Sequence, residues 1–279
     1  MSAKEHLQLS IAKLHATGCE SARLDAECLL MHAWEINRTQ LIIKAHDTLP
    51  DKVAHTFSEY IARRCKREPV AYIIGEKEFW SRSFKVSPDV LIPRPETEHL
   101  IEELLKLYPD QQAPYHFADI GTGSGCIAVT IACEYPNAIV VATDISEKSL
   151  TIARSNAEKH AVSERVQFKQ GYLYQAFDAN TQAFDAILSN PPYVSADEMH
   201  DLEEELHYEP AHALTDKEDG LSLLRILLKQ APQHLKSNCH LLLETGLCGL
   251  PETPDTMTML YPYHDLAGLL RGGVYQNLM

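Results

Sequence analysis

The sequence predicts an α/β protein in which a doubly wound, mostly parallel sheet follows a small bundle of helices. Three observations lead to this prediction. The chain has 279 residues, more than one domain usually contains, which favours about two hydrophobic cores. Apolar residues recur at helical spacing over the first seventy residues. After residue 96, short apolar runs alternate with helical stretches, as in a parallel α/β sheet.

Three amphipathic helices are predicted within residues 1–70. Their apolar positions are three, four or seven residues apart, which places them on one face of each helix. These positions are Leu7, Ile11 and Leu14, then Leu24, Cys28 and Met31, and finally Val53, Phe57, Tyr60 and Ile61. We assign residues 1–70 to a helical bundle and expect the basic run 63–67 to be a solvated helix end.

Residues 71–90 have the pattern of a β-hairpin that links the bundle to a second domain, residues 91–279. The strands predicted in this domain are 116–120, 139–143, 166–169, 184–189 and 240–244, and the helices are 96–108, 124–135, 146–160 and 219–232. Ser146 is suited to cap the third of these helices. Right-handed crossovers between the parallel strands give a doubly wound sheet. In such a sheet ligands bind at the carboxyl ends of the strands, where the motifs described next are found.

A glycine-rich turn follows the first strand of this domain. It consists of Gly121, Thr122, Gly123, Ser124 and Gly125. Glycines at such a turn let backbone amides approach a ligand without an intervening side chain. Asp144 ends the next strand 19 residues beyond Gly125, close to the ~20 expected of a carboxylate that binds ribose hydroxyls. The two features together predict a nucleoside cofactor.

The spacing of the glycines indicates which cofactor this is. A dinucleotide-binding turn has a third glycine at the position where this chain has Cys126. S-adenosylmethionine has no pyrophosphate that needs this glycine, so the pattern favours S-adenosylmethionine over NAD. A nicotinamide-dependent oxidoreductase stays open as an alternative on these residues alone.

The fourth strand is followed by Asn190, Pro191, Pro192 and Tyr193. The prolines fix the backbone and hold Asn190 extended. A planar amide or aromatic amine is a weak nucleophile, and acceptors for its two hydrogens can hold it in line with a methyl donor. We predict that the Asn190 side-chain oxygen and the Pro191 carbonyl do this while Tyr193 stacks on the substrate. The motif suits a glutamine amide and the amino group of adenine or guanine equally.

The composition limits the partners that the protein is expected to bind and the cellular compartment in which it is expected. The net charge is −14. Proteins that bind the phosphates of nucleic acids usually have a basic surface, so we expect no direct nucleic-acid substrate. No apolar run approaches the ~18 residues that cross a membrane, and no signal peptide is recognised, so a cytoplasmic protein is expected. We expect no metal, because no ligand spacing fits one, and we expect residues 200–209 to form a solvated acidic helix.

These motifs and several others resemble the release factor glutamine methyltransferase family (PrmC, also called HemK). The matching segments are 78–80, 86, 91–98, the glycine turn, Asp144, 190–193, 209–210, 213–214, 219–221 and 241–244. Residues 91–98 are the most specific of them, because nucleic-acid enzymes that share the Asn190–Tyr193 motif lack this run. The resemblance implies a Rossmann-like class I S-adenosylmethionine-dependent methyltransferase domain preceded by a small helical bundle.

The resemblance also implies a substrate and site residues. The family methylates the side-chain amide nitrogen, N5, of the glutamine in the Gly-Gly-Gln motif of class 1 peptide chain release factors. Carried over to this chain, the cofactor residues are Gly121–Gly125, Asp144, Leu173 and Asn190, and residues 190–193 hold the glutamine. By its position, the helical bundle is expected to bind the release factor.

Two departures from the family pattern lead to further expectations. Tyr172 stands where the family has an acidic residue near the adenine, so only Leu173 is carried over at that place. The family closes with a helix and two antiparallel strands. Here Pro251, Pro254 and Pro262 interrupt the tail and residues 268–273 are glycine-rich, so we expect the strands not to form cleanly.

Two alternatives to the family's activity follow from the same residues. An amino-methyltransferase acting on adenine or guanine is the first, and it predicts nucleic-acid binding that weakens steeply with salt. A cofactor-binding protein without catalysis is the second, and measurable methyl transfer excludes it.

Overall fold

The computed structural model describes residues 1–178, 181–200 and 202–279. These residues divide into two compact units. The N-terminal unit comprises Met1–Glu76 together with Glu203–Tyr208, and the C-terminal unit comprises Lys77–Leu202 together with Glu209–Met279. The chain therefore contributes a short segment of its second half to the N-terminal unit.

The N-terminal unit is a bundle of helices, as predicted. Its helices are α1 (Ala3–Ala16), α2 (Ala22–Trp34), α3 (Arg38–Ile43), α4 (Asp51–Arg64) and α5 (Val70–Ile74). Ser2 starts α1 with a capping box, in which its hydroxyl accepts from the Glu5 amide and the Glu5 carboxylate accepts from the Ser2 amide. The predicted hairpin is correspondingly shorter, because residues 70–74 are helical.

The buried face of α2 differs from the prediction. Leu24 is 55% exposed, whereas Ala22, Ala26, Leu29 and Leu30 are fully buried. These four residues also recur at helical spacing, and the two alanines allow close approach of the neighbouring helices α1 and α4. The prediction was wrong at Leu24, because it followed the larger apolar side chains and gave no weight to alanine, whereas Met31 packs against the core as predicted.

The sequence suggested that the basic run 63–67 is a solvated helix end. The structure shows that it is not. The Arg64 side chain is only 3% exposed. Its guanidinium donates to Asp25 Oδ2 at 2.7 Å and to Glu205 Oε1 at 2.7 Å. A buried arginine needs such partners, and these lie 39 residues before and 141 residues after it in the chain. No local pattern reveals that pairing.

The acidic stretch 200–209 is likewise not a solvated helix. Residues Glu204–Tyr208 form a 3-10 turn, and Glu205 belongs to the buried ion network of the N-terminal unit. Glu209, in the C-terminal unit, is 6% exposed; its carboxylate accepts from the Ile92 amide at 3.0 Å and pairs with Arg94. Asp201 lies outside the described residues.

The remaining elements are the helices and strands of the C-terminal unit, which alternate regularly over residues 98–170. A hairpin, β1 (Glu76–Phe79) and β2 (Arg82–Lys85), precedes them. They are α6 (Glu98–Leu107), β3 (His116–Ile120), α7 (Cys126–Glu134), β4 (Ile139–Asp144), α8 (Glu147–Lys159), β5 (Val166–Gln170), β6 (Phe184–Ser189), α9 (Ala211–Leu214), α10 (Ser222–Gln230), β7 (Leu235–Glu244), β8 (Met257–His264) and β9 (Leu270–Asn277). Ser146 caps α8 as predicted, since its hydroxyl accepts from the Ser149 amide at 3.2 Å.

The main sheet has seven strands in the order β5-β4-β3-β6-β7-β9-β8. Strands β5, β4, β3, β6 and β7 are parallel. Strand β9 is antiparallel to both of its neighbours, β7 and β8, so β8 runs in the same direction as the parallel strands. From β3 the chain runs outward through β4 and β5, then returns to place β6 on the other side of β3. In an open sheet this switch in strand order leaves a crevice at the carboxyl ends, between β3 and β6.

Both closing strands form, contrary to the prediction, although the pairing of β8 with β9 shifts register between Met259 and Tyr261 and between Tyr263 and His264. Residues 245–256 between β7 and β8 form turns and no helix. Pro262 is tolerated because β8 is an edge strand, where a missing amide donor costs little. Gly272 is required where it stands, since a β-carbon there would collide with the Leu243 carbonyl and the Tyr263 hydroxyl. The glycines of β9 therefore reflect close packing against β7 and β8.

Candidate active site

A cavity of about 270 Å³ opens at the carboxyl ends of β3, β4 and β6. Six residues predicted from sequence line it: Gly121, Gly123, Asp144, Leu173, Asn190 and Pro192. Other lining residues include Val90, Leu91, Ile145, Tyr172, His212 and Lys217. The glycine turn and the carboxyl ends of β4 and β6 thus meet at one place, as the order of the strands requires.

The glycine turn exposes backbone to this cavity. Gly121 and Gly123 have φ angles of +78° and +54°, which only glycine adopts without strain. The amides of Gly121 and Thr122 both donate to the Thr143 carbonyl, at 2.9 and 2.8 Å, and this ties the turn to β4. A β-carbon on Gly121 or Gly123 would meet no atom within 4 Å and would project into open space.

The other residues of the turn lie away from the cavity. Thr122 and Ser124 are 3% and 2% exposed, and the Thr122 hydroxyl donates to Asp119 Oδ2 at 2.6 Å. A β-carbon on Gly125 would stand 3.0 Å from the Ala153 β-carbon. These three residues shape the turn and its packing on α8, while Gly121 and Gly123 form the wall.

Asp144 fixes the shape of the turn as well as lining the cavity. Its Oδ2 accepts from the Gly123 amide at 2.9 Å and its Oδ1 accepts from the Ser146 amide at 2.8 Å. Burial raises the pKa of Asp144, while these backbone hydrogen bonds and the nearby His212 lower it. Each carboxylate oxygen can accept further bonds, so the group can bind hydroxyls without releasing the turn.

Both Tyr172 and Leu173 reach the cavity. Leu173 has a φ angle of +47°, which is unusual for a side chain of its size. Tyr172, at the position where an acid was expected, is 41% exposed. The wall there is apolar and aromatic, and it suits the flat face of a base.

Asn190 follows β6 and has a defined amide orientation. Its Nδ2 donates to the Thr97 hydroxyl oxygen at 3.0 Å, and Oδ1 is the remaining acceptor of the amide. The Ser189 hydroxyl holds the end of β6 by donating to the Ile120 carbonyl at 2.7 Å. Pro191 is buried behind the segment.

Tyr193 lies at a second cavity of about 480 Å³. Its hydroxyl donates to Glu244 Oε1 at 3.2 Å. The ring lies against Gly246, where a β-carbon would stand 2.6 Å from ring atom Cδ2. Burial raises the pKa of Tyr193. The segment 190–193 thus borders two cavities, with Asn190 and Pro192 at the first and Tyr193 at the second.

Several site residues were missed by the sequence analysis. His212 and residues 215–217 line the first cavity, although they follow the fourth strand by more than twenty residues. Thr97 and Glu244 were noted only as parts of matching segments. No spacing rule connects them to Asn190 and Tyr193. The pairing of β6 with β7 brings Glu244 to Tyr193, and Thr97 reaches Asn190 from the turn that precedes α6.

Two family models match most of this chain. The PrmC N-terminal domain model matches residues 5–75, and the methyltransferase small domain model matches residues 96–218. A ribosomal protein L11 methylase structure from Lactobacillus delbrueckii subsp. bulgaricus aligns with 67% of this chain and 81% of its own, at 20% identity and a TM-score of 0.46.

Two curated relatives decide the family. The release factor glutamine methyltransferase of Neisseria gonorrhoeae is 42% identical over 80% of this chain and 80% of its own length. That of Cereibacter sphaeroides is 42% identical over 88% of this chain and 86% of its own. The chain belongs to the release factor glutamine methyltransferase family. It is an S-adenosylmethionine-dependent methyltransferase with a Rossmann-like class I domain behind a helical N-terminal region, and the oxidoreductase alternative is thereby set aside.

The first cavity fits the cofactor of the release factor glutamine methyltransferase family. The open wall at Gly121 and Gly123 accommodates a ligand against the backbone, and Asp144 offers carboxylate oxygens at the same wall. Within the described ranges, no helix is long and apolar enough to cross a membrane. The described residues also hold no cluster of three or more histidine, cysteine or acidic side chains suited to a metal ion.

Proposed function

We propose that the chain transfers a methyl group from S-adenosylmethionine to the side-chain amide nitrogen, N5, of the glutamine in the Gly-Gly-Gln motif of class 1 peptide chain release factors. One observation supports this most strongly. The Asn190 amide nitrogen is occupied by Thr97, so the side-chain oxygen is the atom available to accept an N–H from an acceptor amide. The names of the curated relatives supply the class of substrate.

The cofactor residues have separable roles. Gly121 and Gly123 let the ligand lie directly against the backbone, because no β-carbon stands between that backbone and the cavity; their amides hold the turn through Thr143 and Asp144. The Asp144 carboxylate accepts from ribose hydroxyls, and Leu173 packs on the adenine. When bound, S-adenosylmethionine supplies a methyl group on a positively charged sulfur. Thr122, Ser124 and Gly125 support the turn from behind.

Residues 190–193 hold the acceptor nitrogen. The Asn190 Oδ1 and the Pro191 carbonyl each accept one N–H of the glutamine amide, which orients its nitrogen toward the methyl group. These acceptors also stabilise the positive charge that develops on nitrogen during transfer. The methylated nitrogen is acidic enough to lose its proton to water, so no side chain is needed as a general base.

The two cavities suggest how the substrates approach. The cofactor occupies the cavity that Asn190 and Pro192 line, and the glutamine enters through the cavity that Tyr193 lines. Tyr193 then lies beside the plane of the amide and excludes water from it. The cofactor and the glutamine are then separated only by the segment 190–193, an arrangement that suits in-line transfer of the methyl group.

Two variants test whether the cofactor residues and the acceptor residues act on different steps, cofactor binding and methyl transfer. Asn190→Ala is expected to abolish methyl transfer and to leave the cofactor Kd nearly unchanged, because the glycine turn and Asp144 stay in place on the cofactor wall. Asp144→Ala is expected mainly to weaken cofactor binding. Transfer rates and calorimetric Kd values separate the two effects. Full turnover by Asn190→Ala would contradict the amide clamp.

We further propose that the N-terminal unit binds the release factor. Ile42 and Ile43 at the end of α3 are 70% and 73% exposed, and adjacent exposed isoleucines often mark a protein contact. The double variant Ile42→Glu, Ile43→Glu should raise KM for the whole release factor about tenfold or more. It should leave turnover of a short glutamine peptide unchanged. An equal effect on both substrates would contradict this role.

A further inference from the structure

Thr97 links the start of α6 to the acceptor segment. It is the last residue of a 3-10 turn, Pro95–Thr97, that leads into α6, and its own backbone is helical. Its side chain is not used as a helix cap. It is 2% exposed and accepts from Asn190 Nδ2 at 3.0 Å. The hydroxyl is therefore buried against the acceptor residue.

Glu244 lies at the carboxyl end of β7 and is 1% exposed. Its Oε1 accepts from the Tyr193 hydroxyl at 3.2 Å. Its Oε2 is buried and makes no hydrogen bond among the described residues. Burial raises the pKa of Glu244 to about 7, while the hydroxyls of Thr97 and Tyr193 and the charge of Arg271 act in the opposite direction. The buried carboxyl group thus holds the Tyr193 hydroxyl, while Thr97 contacts Asn190.

The two contacts act on different residues of the acceptor segment. The Thr97 hydroxyl oxygen accepts from Asn190 Nδ2, which leaves Oδ1 as the remaining acceptor of the amide. Oε1 of Glu244 accepts from the Tyr193 hydroxyl. One buried hydroxyl and one buried carboxyl group therefore orient the two side chains.

We propose that Thr97 and Glu244 are positioning residues for the methyl acceptor, fixing the Asn190 amide with its oxygen available to the substrate and holding the Tyr193 hydroxyl. This inference rests on the proposed amide clamp. Replacement of Glu244 by glutamine places an N–H donor either against the Tyr193 hydroxyl or at the buried Oε2 position, which has no acceptor among the described residues. The effect should fall on the transfer step, because neither residue lines the cofactor cavity.

A pair of substitutions at Thr97 provides a matched test. Thr97→Val keeps the shape and removes the hydroxyl, whereas Thr97→Ser keeps the hydroxyl. We expect Thr97→Val to lower kcat by roughly tenfold to a hundredfold, the effect of one lost hydrogen bond that orients a reacting group. Thr97→Ser should recover most of that rate. The cofactor Kd should change less than about twofold in either variant.

Glu244→Gln is compared with Glu103→Gln. Glu103 is also buried, at 6% exposure, and its Oε2 also accepts from a tyrosine, Tyr261, at 2.9 Å. It lines neither cavity described above. We expect Glu244→Gln to lower kcat by roughly tenfold or more with an unchanged cofactor Kd, and Glu103→Gln to leave both unchanged. Equal losses in the two variants would assign the effect to general destabilisation and overturn the proposal.

A second readout does not depend on the identity of the acceptor. The side-chain ¹⁵N–¹H signals of Asn190 in the protein without substrate should be resolved and protected from exchange in the wild type and Thr97→Ser. They should exchange rapidly in Thr97→Val. This pattern without any glutamine methylation by the wild type would reject the proposed function and support the positioning role. Identical signals and rates in the valine and serine variants would overturn that role.

Discussion

Gly246 offers a sharp test of how Tyr193 is seated. A β-carbon on this residue would stand 2.6 Å from Cδ2 and 2.8 Å from Cε2 of the Tyr193 ring. Carbon atoms in contact prefer about 3.5–4.0 Å, so the ring in Gly246→Ala must retreat by about 1 Å. A displacement of about 1 Å at a reacting complex can cost about a hundredfold in rate. We therefore expect kcat to fall about a hundredfold, or about 2.7 kcal/mol in activation free energy.

The assay for Gly246→Ala is single-turnover methyl transfer, with the cofactor Kd measured in parallel. Gly246 is not among the residues that line the cofactor cavity, so the Kd should stay within about twofold. The same substitution in a Tyr193→Ala background has no ring to displace and should cost little more. A normal rate for Gly246→Ala, or an undiminished loss in the Tyr193→Ala background, would refute the reasoning.

Three further outcomes are expected. Asp144→Ala should raise the cofactor Kd by roughly tenfold to a hundredfold, since a charged acceptor is lost; an unchanged calorimetric Kd would contradict its ribose role. Arg64→Met leaves Asp25 buried without its partner and should lower the free energy of urea unfolding by about 3–5 kcal/mol; an unshifted midpoint would contradict this. Burial raises the pKa of Asp119 to about 7 from 3.8, so the folded state holds this proton more tightly than the unfolded chain. The contribution of Asp119 to stability therefore falls as pH rises from about 4 to about 7. The stability of Asp119→Asn relative to wild type should increase from about pH 4 to about pH 7, and a constant difference across that range would contradict the shift.

Local sequence patterns were sufficient for most of the fold. The strands of the parallel sheet and the helices between them follow from short apolar runs and helical spacing, and Ser146 caps α8 as its position suggested. The sequence pattern gave wrong predictions where close packing of neighbouring elements requires small residues. Alanines form the buried face of α2, and Gly272 takes part in a strand because its neighbours leave no room for a side chain.

The residues of the candidate site likewise fall into two groups, those that the sequence predicts and those that it does not. Glycines and an aspartate at strand ends can be recognised from spacing, since the carboxyl ends of parallel strands meet at one edge of the sheet. Thr97, His212 and Glu244 reach the site through loops and strand pairing that link distant parts of the chain. The partners of Arg64 are hidden for the same reason. Tertiary contacts of this kind leave no periodic trace in the sequence.

The most direct measurement is transfer of labelled methyl from S-adenosylmethionine to a purified class 1 release factor. A variant release factor whose Gly-Gly-Gln glutamine is alanine serves as the matched control. The proposed function predicts label on the first protein and none on the second. Label on both, or label on neither while the cofactor still binds, would contradict the assignment of that glutamine as the methyl acceptor.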